Sequence, residues 1–136
     1  MRRVVVTGLG IVSSIGLSAN EVSSALRAGK SGISFAPEYA ERGFRSQIHG
    51  KPNIEISDHI EKRVLRFMGE GAAFNYIAMQ QAVEDSGLSE SEISNERTGL
   101  IMGSGGPSTK NLFNAHTTVI EKGSPKRMGP FMVTRG

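Results

Sequence analysis

Residues 4–16 read VVVTGLGIVSSIG, and two readings of this stretch lead to different folds. The β-branched run is too short for a helix and predicts a buried strand over residues 4–7. It enters Gly8-Leu9-Gly10, the start of the G-x-G-x-x-G turn that sets a pyrophosphate on a helix N-terminus in dinucleotide-binding domains. The rest of that fingerprint is missing. Ser13 stands where the third glycine belongs. The next helix signal is a capping box, Ser18 with Glu21, so the helix begins well after the turn. No second strand ending in an acidic residue follows. The stretch therefore reads as a tight turn with close backbone approach, which glycine permits for want of a Cβ.

Working outward, the capping box predicts a helix to about Ala28, stopped by Gly29. Residues 30–56 are punctuated by Gly32, Pro37, Gly43, Gly50 and Pro52, and predict loops with short strands. Ser57 or Asp58 can cap a helix whose apolar stripe is Ile60, Val64, Phe67 and Met68. Lys62, Arg63 and Arg66 share its opposite, exposed face. A stronger helix is expected from Ala72 to Ser86, ended by Gly87. Its alanines Ala72, Ala73, Ala78 and Ala82 suit close packing. Residues 98–103, TGLIMG, predict a second buried strand that runs into GSGGPS and a helix to about Glu121. Alternating strands and helices argue an α/β fold with a largely parallel sheet.

The chain has 136 residues, 38% of them apolar, and 17 glycines, a composition that builds one modest globular domain. No stretch is apolar for long enough to span a bilayer, and the opening carries no secretory signal pattern, so the chain reads as soluble. There are no cysteines, which excludes disulfides, thiolate metal sites and a cysteine nucleophile within these residues. The net charge of +3 is mild, but five of the six charged residues in 84–97 are acidic and five of the six in 107–136 are basic. A basic patch favours an acidic partner, whether nucleic acid, phosphate or an acidic protein, but charge alone favours a solvated face over any of them. His49, His59 and His116 have no metal-ligand spacing, and no serine sits in a nucleophile elbow. The residues alone supply no catalytic constellation.

Taken in order, the motifs are more specific. RRVVVTGLGIVSSIG at 2–16, LRAGKSGI at 26–33, RVLRFM at 63–68, AVEDSGL at 82–88, TGLIMGSGG at 98–106 and MGPFMV at 128–133 closely resemble the β-ketoacyl-acyl-carrier-protein synthases. The bacterial elongation type is nearest, and the resemblance spans essentially the whole chain. It implies a partial thiolase-like fold, part of the N-terminal half of a five-layer αβαβα architecture, and a homodimer. Residues 1–136 would be an incomplete N-terminal synthase domain with no second domain. The implied reaction is a decarboxylating Claisen condensation of an acyl thioester with malonyl-acyl carrier protein, run by a nucleophilic Cys and two His. Those residues are expected beyond this chain, which is then inactive alone.

The resemblance also implies sites. Arg63 and Arg66, with Lys62 beside them, match positions that dock acyl carrier protein, and Lys126 and Arg127 stand for a second basic cluster. Gly105, Gly106 and Phe131 match acyl-pocket positions, and Pro107 replaces an expected glycine there. The implied setting is cytoplasmic, without cofactor, metal, nucleic acid or membrane. Two alternatives remain at this point: a non-catalytic acyl-carrier-protein-binding module and, more remotely, a dinucleotide-binding domain.

Overall fold

The computed structural model describes residues 3–136; Met1 and Arg2, where the first motif begins, lie outside them. Along the chain run helix α1 (Ala19–Arg27), strand β1 (Ser34–Phe35), helix α2 (Pro37–Glu41), strand β2 (Ile48–His49), a 3-10 turn (Ile56–Asp58), helices α3 (Lys62–Leu65), α4 (Glu70–Ser86), α5 (Glu90–Ile93) and α6 (Thr109–Lys122), a second 3-10 turn (Pro125–Arg127) and helix α7 (Met132–Arg135). They form two compact units. The first holds residues up to Glu55 with Ile77–Leu88; the second holds Ile56–Tyr76 with Ser89–Gly136.

In the first unit the opening stretch lies on the C-terminal part of α4. Gly8 and Gly10 make this possible. A Cβ on Gly8 would stand 2.0 Å from the Ala82 carbonyl oxygen, and one on Gly10 1.8 Å from that of Ala78. The small side chains of Ala78 and Ala82 complete a surface on which backbone meets backbone. Polar groups of α4 then anchor the segment. Leu9 N–H donates to Asp85 at 2.9 Å and Ile11 N–H to Gln81 Oε1 at 3.0 Å. Gln81 Nε2 donates to the Leu17 carbonyl at 2.7 Å. Ser13 closes a tight turn, its N–H donating to the Gly16 carbonyl at 2.9 Å.

Helix α1 starts as its capping signals require, with Glu21 N–H donating to Ser18 Oγ at 3.3 Å. The Glu21 carboxylate reaches back to Leu17 N–H at 2.8 Å. Gly29 follows with φ +62° and Gly87 ends α4 with φ +64°, left-handed stops that any side chain would strain. The short strands are an antiparallel pair, Ser34 opposite His49 and Phe35 opposite Ile48. His49 packs edge-on against Tyr39 and lies 3.6 Å from Glu38, a structural placement.

In the second unit α6 packs on the 125–127 turn and on α7. Helix α5 is opened by Ser89, whose hydroxyl and N–H both donate to the Glu92 carboxylate, at 2.7 and 2.9 Å. The side-chain bond and then the backbone bond hold that carboxyl below the usual glutamate value of 4.5. A lowered value means stability present above 4.5 and lost as pH falls through the folded-state value. The protection of amides at the start of α5, taken relative to their intrinsic exchange rate at each pH, should therefore fall in acid, and Glu92→Gln should abolish that pH dependence.

Two expectations are corrected. Residues 4–7 and 98–103 are not laddered strands: among the described residues the only sheet is the two-stranded antiparallel β1–β2 pair, not a largely parallel one. Val4 is 94% and Ile101 97% exposed. An extended run becomes a strand only when a neighbour takes its N–H and C=O groups, and no described segment does so here. The helix expected from residue 57 to 68 is broken into a 3-10 turn and α3. Glu61, at φ −57° and ψ 138°, is extended and separates them. Among the described residues the buried apolar side chains are Ala25, Ala36, Ile60, Ala73 and Ile77, a small core.

Candidate functional site

The Gly8-Leu9-Gly10 stretch is the first candidate; it runs without the expected tight turn, which lies at Ser13–Gly16 instead, and its geometry does not suit a phosphate. A phosphate loop offers free N–H groups. Here Leu9 and Ile11 already donate to α4 side chains, and the acceptor at Leu9 is a carboxylate that would repel an anion. The space a pyrophosphate would approach through Gly8 and Gly10 is filled by the α4 backbone. The glycines serve packing, and the dinucleotide-binding reading fails.

The second candidate lies wholly in the second unit. Its cations come from α3 and from the turn after α6. Lys62 opens α3 and is exposed; Arg63 is exposed and pairs with Glu61 at 2.5 Å. Lys126 and Arg127 are exposed on the 125–127 turn, whose start is set by Ser124, which accepts from Lys126 N–H at 3.3 Å. Arg66, one residue past α3, behaves differently. Its guanidinium carbon sits 4.8 Å from the Phe67 ring centroid and 4.9 Å from that of Phe131. The two rings meet at 76° with centroids 4.6 Å apart, an arrangement that aligns positive ring edge with negative ring face.

Close by in the same unit is a cleft of about 470 Å³, whose walls include Gly69, Glu70, Met102, Gly106, Pro107 and Lys110. Lys110 and Glu70 pair across 3.3 Å. Gly69 is pinned, since a Cβ there would meet the Arg135 carbonyl oxygen at 2.8 Å and Ser108 Cβ at 3.0 Å. Gly105 and Gly106 face open space, with nothing within 4 Å of a Cβ position. Of the expected pocket residues, the cleft gathers Gly106 and Pro107. Gly105 is not among its walls, and Phe131 is engaged with Phe67 and Arg66 instead.

The cleft walls mix polar and apolar residues, carry Arg135 beside the Glu70–Lys110 pair, and have no His or Cys. Among the described residues no group of three His, Cys, Asp or Glu could hold a metal. No helix is long and apolar enough to cross a membrane among the same residues. The sequence alone does not mark Glu70, Lys110 and Arg135 as parts of this site, and its helical spacing marks Phe67 only as a stripe residue. Their partners lie 24 to 69 residues away, beyond any local pattern.

Comparison with known proteins gives the family. Residues 1–135 match the family described as "Beta-ketoacyl synthase, N-terminal domain". The chain is 46% identical over 135 residues to "3-oxoacyl-acyl-carrier-protein synthase 1" of Haemophilus influenzae, covering 99% of this chain and 33% of that protein. It is 42% identical over 137 residues to the protein of the same name from Escherichia coli K12, covering 99% and 34%. The solved structure titled "The ishigamide ketosynthase/chain length factor" superposes with a TM-score of 0.81 at 27% identity, covering 96% of this chain and 33% of that one. The chain thus spans about a third of the length of the curated relatives it matches. Such a likeness makes its fold a partial thiolase-like α/β fold.

Proposed function

The chain belongs to the β-ketoacyl synthase family, and from that premise we propose that it works in fatty-acid elongation as the N-terminal part of a 3-oxoacyl-acyl-carrier-protein synthase. The observation that carries this is the match of the whole chain, at 46% identity, to a synthase of that name. The reaction joins an acyl thioester to malonyl-acyl carrier protein with loss of CO₂. It needs a nucleophile to carry the acyl group and donors to hold the oxyanion. The chain has no cysteine, so the acyl-enzyme thioester cannot form on these residues. Purified chain mixed with acyl thioester and malonyl-acyl carrier protein should give no product; turnover would overturn that part of the reading.

Within the reaction we assign these residues to docking and lining. Lys62, Arg63, Arg66, Lys126 and Arg127 form the surface for acyl carrier protein, an acidic partner whose approach an exposed basic face speeds and orients. Gly105, Gly106, Pro107 and Phe131 are assigned to the acyl chain, Gly106 and Pro107 through the cleft they line. The setting is the cytoplasm. Arg63→Ala with Arg66→Ala should weaken carrier-protein binding about ten-fold at low salt and flatten its salt dependence. Titration of labelled carrier protein at two salt concentrations measures both; unchanged affinity in the double variant would remove the docking assignment. Binding without any catalytic role is the second reading, supported by the exposed cations Lys62, Arg63, Lys126 and Arg127. Restored turnover with the C-terminal two-thirds of a relative supplied as a separate chain would exclude it.

A further inference from the structure

We infer that Phe131 governs how Arg66 receives an acidic partner, so that a docking cation and a pocket aromatic form one coupled element. The inference rests on the docking reading above. An arginine seated on ring faces keeps its N–H fork in its own plane, ready for a bidentate carboxylate. Arg66 has that seat, over the contacting pair of rings Phe67 and Phe131, and remains exposed. Its backbone is held as well. Arg135 Nε donates to the Arg66 carbonyl at 2.6 Å. The Arg135 carbonyl accepts from Asn111 Nδ2 at 3.2 Å, and the same Nδ2 donates to Ser108 at 2.9 Å. Helix α6, the 131–135 segment and Arg66 are thereby linked in one chain of contacts. A free arginine surrenders rotamer freedom when it pairs, whereas a seated one has already lost it and binds more tightly for the same contact. Coupling of this kind is reciprocal: a ligand that displaces Phe131 weakens docking, and docking holds Phe131 in place.

The test is a double-mutant cycle read by titrating labelled acyl carrier protein into the full 136-residue chain at low salt. Phe131→Leu should weaken binding about five-fold, the scale of a lost cation–ring contact. Phe131→Tyr keeps the ring and should bind as the parent does. Arg66→Lys keeps the charge but loses the plane, and should weaken binding to a similar extent. Phe131→Leu should then add nothing further, whereas it should add fully to Lys62→Gln. The Arg66 Nε–H resonance gives a partner-free readout, ring-current shifted in the parent and in Phe131→Tyr, and released in Phe131→Leu. Should Phe131→Leu fail to fold, Arg66→Lys against Phe131→Tyr carries the comparison. Parent-like affinity for Phe131→Leu or Arg66→Lys, alongside weakened binding by Arg66→Gln, overturns the coupling and leaves docking intact. Parent-like affinity when Lys62, Arg63 and Arg66 are all changed to Gln removes the docking reading, and this inference with it.

Discussion

Gly10→Ala is expected to destabilise the first unit by about 3 kcal/mol or more, the upper range for overpacking a closed contact. The reason is geometric. The added Cβ would stand 1.8 Å from the Ala78 carbonyl oxygen and 2.8 Å from Ala78 C and Ala82 N. All three are helix backbone atoms, so no side-chain rotamer can relieve the clash. The segment must lift from α4, and with it go the bonds from Ile11 N–H to Gln81 and from Leu9 N–H to Asp85. Gly71→Ala is the matched control. It also sits in α4, but nothing lies within 4 Å of its Cβ position. There alanine should stabilise by up to about 0.5 kcal/mol, because it restricts the unfolded chain and favours helix. Urea unfolding followed by circular dichroism measures both changes. Equal midpoints for Gly10→Ala and the parent would show that the opening stretch does not pack on α4 in solution.

This contrast shows which structural information was local. The stops at Gly29 and Gly87 were legible because a helix end is written in the residues that make it. The close backbone approach at Gly8 and Gly10 was legible too, because the rest of the dinucleotide fingerprint is missing; that the surface approached is Ala78 and Ala82 of α4 was not. The strand expectation failed for the opposite reason. Val4, Val5 and Val6 specify extended backbone, but only a non-local neighbour turns that into a ladder. The α3 region failed locally, because the stripe of Ile60, Val64, Phe67 and Met68 satisfies helical spacing while Glu61 breaks the run. Lys62 and Arg63 could be found as exposed cations from their spacing, and Lys126 and Arg127 only through the resemblance. The seat of Arg66 could not, since Phe131 lies 65 positions away and nothing near Arg66 marks it as stacked. A charge pattern says where cations are, and only the fold says which of them are held.

Gln81→Leu is expected to cost about 2–3 kcal/mol, because one side chain serves two backbone groups at once. Its Oε1 accepts from Ile11 N–H and its Nε2 donates to the Leu17 carbonyl, at 3.0 and 2.7 Å. Both contacts are partly buried, so leucine leaves a donor and an acceptor without partners where water enters poorly. Gln81→Glu separates the two halves of the clamp. The carboxylate still accepts from Ile11 N–H, but it faces the Leu17 carbonyl with a second acceptor and no proton to offer. That repulsion favours the protonated form in the folded state and raises the folded-state value above the unfolded one. The loss relative to the parent is therefore full at neutral pH and shrinks as pH falls and the introduced carboxyl regains a donor. Unfolding midpoints of parent, Gln81→Leu and Gln81→Glu at neutral and acidic pH decide the matter. A Gln81→Glu deficit that did not narrow in acid would show that the Leu17 carbonyl is not bonded by this side chain, and the loop between Ile11 and Leu17 would then need another anchor.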